Sequence, residues 1–174
     1  MTAPEARSSV EEHKAHAPRA VRCVVCTISD SKTPDTDTSG QLLRELLTAA
    51  GHEIVGSRLV RDEPAEVHGV IHAACADPQV QAVVFTGGTG ITARDRTYEA
   101  IDALLEKRLP GFGELFRMLS FQEIGPAAML SRAQAGVRAR RLIFSVPGSP
   151  AACRLAVERL IGPELGHLVR EANR

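Results

Sequence analysis

The sequence predicts an α/β domain with three layers, helices on both faces of a mainly parallel sheet. Three observations carry that reading. Short apolar, β-branched runs alternate with segments of helical period along the chain. Gly, Pro and Asp clusters mark the changes between them. At 174 residues the chain fits one domain with a sizeable core.

Val21 to Ile28 is apolar and β-branched and predicts the first strand. A polar turn, Ser29 to Thr36, follows. Asp37, Thr38 and Ser39 offer N-caps for a helix with an apolar face of Leu42, Leu43, Leu46 and Leu47. Gly51 suits its C-terminus. His52 to Val60 predicts the second strand. Pro64 fits the first turn of a helix with Val67, Val70, Ile71 and Ala74 on one side, and Asp77-Pro78 ends it. Val80 to Phe85 is the third strand, and a glycine-rich loop runs from Gly87 to Asp95. A third helix carries Ala100, Ile101, Leu104 and Leu105 and is expected to stop at Pro110-Gly111. A further helix is expected over Glu114 to Gln122, with Phe116 and Leu119 inward. Residues 129–146 read as two extended segments joined through Arg138 to Arg141. Ser149 and Pro150 start a helix as N-cap and first residue, and Gly162-Pro163 is expected to separate a last short one.

Composition excludes several classes of function. Twenty-one basic and 21 acidic side chains cancel, which argues against a general polyanion binder. There is no Trp and one Tyr, too few for a base-stacking platform. No apolar run approaches the roughly 20 residues of a membrane span. Residues 1–19 are polar, mixed in charge and lack a signal-peptide pattern, so a flexible tail ahead of a domain at 20–174 and a cytoplasmic location are expected. No nucleic-acid or membrane partner is expected. Cys23 and Cys26 form a Cys-x-x-Cys, but with two valines between them inside a strand pattern. Residues three apart on a strand face opposite ways, so buried cysteines are expected, not a redox pair.

In parallel sheets ligands bind beyond the carboxyl ends of the strands, near a change in strand order. Four polar segments fall there: Ser29-Asp30, Arg61-Asp62, Gly87 to Asp95, and Pro147 to Pro150. They are expected to meet on one rim. The segment Gly87-Gly88-Thr89-Gly90-Ile91-Thr92-Ala93-Arg94-Asp95 is the most informative of them. A glycine-rich turn between strand and helix brings backbone N–H groups within reach of a phosphate. It lacks the Lys of a P-loop. Read from Gly88 it fits the dinucleotide fingerprint, but it follows the third strand, and no acidic residue ends a strand about 20 positions on. Asp62 and Asp95 each suit a helix cap or a metal ligand. Between residues 124 and 157 stand Arg132, Arg138, Arg140, Arg141 and Arg154 with no acidic residue. Arg138 to Arg141 suit a hairpin tip; Arg132 and Arg154 are the better candidates for a positive field toward an anion. His68 and His72 lie one helical turn apart but lack a third ligand, and read as a surface pair.

Six segments together resemble the molybdopterin adenylyltransferase family of molybdenum cofactor biosynthesis, of MogA/MoaB type. They are Gly87 to Asp95, Asp37-Thr38-Ser39-Gly40, Pro110 to Glu114, Phe116 to Ser120, Met129 to Arg132, and Pro147-Gly148-Ser149. The likeness runs from about Ala20 to Val169, and residues 116–125 look closer to the MoaB branch. It implies the MogA/MoaB-like fold and a reaction in which the terminal phosphate of molybdopterin attacks the α-phosphate of ATP, with Mg2+ required. The two essential aspartates of the family fall on Asp62 and Asp95, as catalytic and metal-holding residues. Ser29, Asp30, Ser39, Gly40, Gly87, Gly88, Thr89, Gly90, Ser131, Pro147, Gly148 and Ser149 would bind substrate. A homotrimer, or a hexamer built as a dimer of trimers, is implied, as are partners within the same pathway. A carrier that binds molybdopterin without transferring AMP would use the same rim. Many members have Pro where this chain has Tyr98; Tyr takes the same φ, so the helix after the loop is expected to persist.

Overall fold

The computed structural model describes residues 17–174, so the expected tail lies outside the described residues as far as residue 16. Six strands form one sheet in the order β2-β1-β3-β6-β5-β4. They are β1 (Arg22–Ile28), β2 (Glu53–Val60), β3 (Ala82–Thr86), β4 (Lys107–Arg108), β5 (Gln134–Arg138) and β6 (Arg141–Val146). β1, β2, β3 and β6 run parallel; β5 is antiparallel to both its neighbours. The expected mainly parallel sheet is therefore present.

The helices are α1 (Thr38–Ala49), α2 (Pro64–Ala76), α3 (Thr97–Leu104), α4 (Pro110–Ile124), α5 (Pro150–Ala156) and α6 (Gly162–Ala172). Alternating side chains of the strands feed two cores. Val21, Cys23, Val25, Val84 and Phe144 pack with Leu43 and Leu47 of α1, Phe116 of α4 and Leu165 of α6. Cys26, Ile28, Val83, Phe85 and Ile143 pack with Val67 and Ile71 of α2 and Ile101 of α3 on the other face. Cys23 and Cys26 thus point to opposite layers, and burial pushes both thiols up to about 12. They are buried free thiols, as the strand pattern predicts.

Three boundaries differ from the sequence reading, each for a local reason. α3 stops at Leu104, and the exposed pair Lys107–Arg108 adds a short edge strand against Val137 and Gly136. Two charged residues carry no strand periodicity, though lysine is a common guard of sheet edges. Pro110 opens α4 instead of closing α3, because its missing N–H costs nothing in a first turn. α4 therefore spans 15 residues, and a 3-10 turn, Gly125–Leu130, leads on to β5 at Gln134. At Gly162-Pro163 the chain does not break. A π turn, Val157–Ile161, joins α5 to α6, and Gly162 N–H donates to the Val157 carbonyl. The wider turn accommodates a proline that cannot donate within the helix. His52 Nδ1 accepts from Val21 N–H at 3.3 Å, and its Nε2 lies 3.2 Å from the Gly162 carbonyl, tying this turn to the sheet.

Candidate functional site

β1 has β2 on one side and β3 on the other, so a crevice opens beyond their carboxyl ends. The four predicted segments meet there. Gly87 N–H donates to the Val146 carbonyl at 3.0 Å, and Gly87 lies against the Ile28 carbonyl with φ +101°. Gly148 packs on Gly87, its Cβ position 3.5 Å from the Gly87 Cα. Asp62 N–H donates to Asp30 Oδ1 at 3.2 Å.

Asp62 is buried just past β2. Its Oδ1 accepts from Arg96 N–H at 3.2 Å and from Thr97 Oγ1 at 3.0 Å, at the start of α3. Its Oδ2 lies 2.9 Å from where a side chain on Gly88 would begin. Asp95 Oδ2 accepts from Thr92 N–H at 2.9 Å and from Thr92 Oγ1, and lies 2.6 Å from the Cβ position of Gly90. Both carboxylates thus flank the same glycine loop, and the Arg96 N–H held by Asp62 is one residue beyond Asp95. Asp62 holds the start of α3, whereas Asp95 closes the glycine loop on Thr92 and does not cap the helix that its sequence position suits. No group of three or more metal-ligating residue types is present among the described residues. Two carboxylates packed close against one glycine loop suit a cation that takes its remaining ligands from phosphate and water, which is the habit of magnesium.

The arginine of the loop crosses the crevice. Arg94 Nε and Nη2 donate to Asp30 at 2.7 and 3.1 Å, and Nη1 donates to Glu63 Oε1 at 2.7 Å. Hydrogen bonding to Arg94 holds the Asp30 carboxyl below its ordinary range.

Arg132 serves the loop from behind. It donates to the carbonyls of Thr89, Gly90 and Asp95 and pairs with Glu99, while its guanidinium covers the Tyr98 ring at 5.0 Å. Its charge is directed at backbone oxygens, a difference from the anion-facing role its sequence position predicts. Tyr98 keeps α3 intact and adds this stacking partner, which proline would not supply. Arg154 is exposed and lies 3.9 Å from Glu158 on the next turn.

The remaining predicted residues divide by role. Ser39 Oγ donates to the Gly148 carbonyl at 2.6 Å and accepts from Lys32 Nζ at 3.0 Å, joining α1 to the turn after β6. Gly40 N–H is capped by Asp37 Oδ1 at 3.0 Å, below the rim. Ser29 Oγ accepts from the N–H groups of Ser31 and Lys32. Ser149 caps α5 through Ala152 N–H at 3.2 Å. Pro147 O accepts from Thr86 Oγ1 at 3.2 Å.

A family model described as a probable molybdopterin binding domain matches residues 24–167. The chain belongs to the molybdopterin-binding family. It is 53% identical over 164 residues to molybdenum cofactor biosynthesis protein B of Halalkalibacterium halodurans, covering 94% of this chain and 96% of that one. The protein of the same name from Escherichia coli K12 is 42% identical over 152 residues, covering 87% and 89%. A crystal structure of a molybdenum cofactor biosynthesis protein B superposes with TM-score 0.88 at 51% identity, over 91% of this chain and 99% of that one. The tungsten cofactor synthesizing protein MoaB from Pyrococcus furiosus gives 0.81 at 37% identity, over 91% and 100%.

In this member of the family a cavity of about 230 Å³ adjoins the glycine loop. Thr89, Ser131, Pro147 and Ser149 line it, together with Phe116 and Ser120 of α4. Its apolar floor and hydroxyl rim suit a flat, hydrogen-bonding ring. Ser120 is a lining residue that sequence reasoning missed. The signal was present: a serine sits on the same face of α4 as Phe116, at the four-residue spacing of one helical turn. Glu63 and Arg94 were missed as well, since their partners are remote in sequence, and so was Lys32, although Asp37 and Ser39 lie within two turns of chain.

Proposed function

We propose that this chain acts in molybdenum cofactor biosynthesis by transferring AMP from Mg-ATP to molybdopterin. A terminal phosphate oxygen of the pterin forms a bond to the α-phosphorus of ATP. The bond from that phosphorus to the bridging oxygen breaks, and pyrophosphate leaves with its electrons. The observation that carries the reading is the convergence of Asp62 and Asp95 on one glycine loop beside the cavity. A phosphate monoester has a second pKa of about 6, so the nucleophile is largely dianionic at neutral pH and needs no base. It needs charge neutralisation and in-line placement. Asp62 and Asp95 would hold magnesium, which when bound neutralises phosphate charge. The cavity would take the pterin ring, with Thr89, Ser131 and Ser149 offering hydroxyls. The names of the relatives support the pathway.

The test is direct. Purified protein with molybdopterin, magnesium and ATP labelled at the α-phosphate should transfer label to the pterin and release pyrophosphate in equal amount. Chelating the metal should stop the transfer. Tight pterin binding without nucleotide binding would replace this reading with that of a carrier.

The same reading assigns the protein to the cytoplasm, and its four free cysteines suit a reducing compartment. Among the described residues no helix is long and apolar enough to cross a membrane. It also assigns a homo-oligomer, a trimer or a pair of trimers. Leu115, Met118, Phe121 and Ile124 of α4 are about half exposed, and Met129 and Leu130 beyond it are exposed too. Six large apolar side chains on one helix and the following turn favour an interface over open solvent. Phe121→Glu is expected to lower the native mass to that of one chain in light scattering, with circular dichroism unchanged. An unaltered mass would remove α4 from the interface.

A further inference from the structure

The crevice holds an excess of negative charge that an ATP site has to overcome. Asp30, Asp62, Glu63 and Asp95 stand on its three adjoining loops. ATP with magnesium is still an anion. Three basic side chains near the rim are committed elsewhere, and Arg96, exposed at the start of α3, gives Asp62 its backbone N–H without joining the loops. Arg132 is spent on loop carbonyls, Lys32 sits beneath Ser39 and 3.8 Å from Asp37, and Arg61 pairs with Glu66 at 2.6 Å. Arg94 is different. Its guanidinium is half exposed and joins the loop after β3 to those after β1 and β2. Both its partners are exposed carboxylates, with side chains 41% and 37% accessible.

Exposed ion pairs are worth at most about 1 kcal/mol, because water screens them and long side chains lose freedom. A bidentate arginine–phosphate contact is stronger, since the guanidinium fork matches two phosphate oxygens. Arg94 already makes a forked contact to Asp30, but both its partners are exposed and screened by water, so a polyphosphate that brings more charge to the same fork can displace them. It also lies in the same loop as Asp95, so its reach covers the space beside the proposed metal site.

We propose that Arg94 is the binding residue for the β- and γ-phosphates of ATP and for the pyrophosphate product, and that its pairing with Asp30 and Glu63 is a latch the polyphosphate opens. The proposal rests on the adenylyl-transfer reading. In the free protein the latch draws three loops together over Asp62 and offsets the carboxylates. When polyphosphate arrives, Arg94 exchanges carboxylate for phosphate, and Asp30 and Glu63 are released to solvent. No covalent bond changes in this exchange. The latch explains why an exposed arginine is held by two carboxylates from two different loops.

The experiment is calorimetry on the full chain with Mg-ATP, magnesium pyrophosphate and AMP. Arg94→Gln is expected to weaken Mg-ATP and pyrophosphate by about 10- to 100-fold, as for a lost charged hydrogen bond, and to leave AMP within about twofold. Glu63→Gln removes one competitor and should tighten pyrophosphate by about threefold, the scale of an exposed ion pair. In the Arg94→Gln background the same change should have little effect. Equal loss of AMP and pyrophosphate in Arg94→Gln would mean that Arg94 only supports the loops and would overturn the proposal. So would a Glu63→Gln gain of the same size in both backgrounds. Wild-type protein that binds no Mg-ATP would sink the adenylyl-transfer reading itself, and the latch with it. Wild-type binding with unaltered Arg94→Gln affinities would sink the latch alone.

Discussion

Asp62→Asn and Asp95→Asn are each expected to lower label transfer on the order of 10³-fold, about 4 kcal/mol of barrier, while melting within a few degrees of wild type. The expected separation of activity from stability follows from which oxygen each carboxylate uses. Asp62 bonds the start of α3 through Oδ1 alone, and the amide oxygen of Asn accepts the same two bonds. Its Oδ2 is the atom facing Gly88, and there the charge is removed. Asp95 likewise accepts from Thr92 through one oxygen, which Asn retains. Asp95→Ala loses the bonds to Thr92 that close the loop and should cost about 1 kcal/mol of stability besides the activity. A pH series decides between metal holding and proton transfer. If the nucleophile is a phosphate dianion, the wild-type rate falls as pH drops through about 6, and the residual activity of both variants keeps that profile. A profile that flattens in Asp62→Asn would make Asp62 a proton acceptor. Full turnover in both variants would remove the aspartates from the reaction.

The sequence was most legible where one strong local rule applied. The strands β1, β3 and β6 are short apolar runs, and they are the central strands of the sheet. Because these strands and β2 run parallel, their polar ends lie on one rim, and that brings Asp30, Asp62, the glycine loop and Pro147 together. What stayed hidden depends on partners distant along the chain. Lys107–Arg108 becomes a strand only because Gly136 and Val137 present an edge to it. Pro110 and Pro163 are punctuation whose sense, start or stop, is set by the surrounding turn. Arg132 carries a visible charge, but its direction toward Thr89 and Gly90 is fixed by the path of the loop. Arg94 and Asp30 are 64 residues apart, and no periodicity links them. The cavity beside Ser131 is built by the 3-10 turn, Gly125–Leu130, which has neither helical nor strand period.

Gly87→Ala is expected to destabilise the protein by about 3 kcal/mol and to abolish pterin binding, the second large effect at this rim. Two penalties add. At φ +101° an L side chain is strained, and here its Cβ falls on the Ile28 carbonyl oxygen at the end of β1. Neither side can yield easily. Gly87 N–H is bonded to Val146 O at 3.0 Å, and Ile28 is the last residue of a strand paired on both sides. Relief would require the loop to lift from the crevice, which takes Gly88 and Thr89 out of line with Asp62 and the cavity. Gly51→Ala is the matched control. It has φ +89° with nothing within 4 Å of the new Cβ, so it carries strain without overlap. It should cost about 1 kcal/mol. Chemical denaturation of the two variants therefore separates the terms, and the excess in Gly87→Ala reads how rigidly β1 and β6 hold the loop. If the two variants unfold at the same denaturant concentration, the loop is free to move. The preformed site argued from the contacts of Gly87, Ile28 and Val146 would then be wrong, and the aspartates would have to be brought to the loop by the ligand.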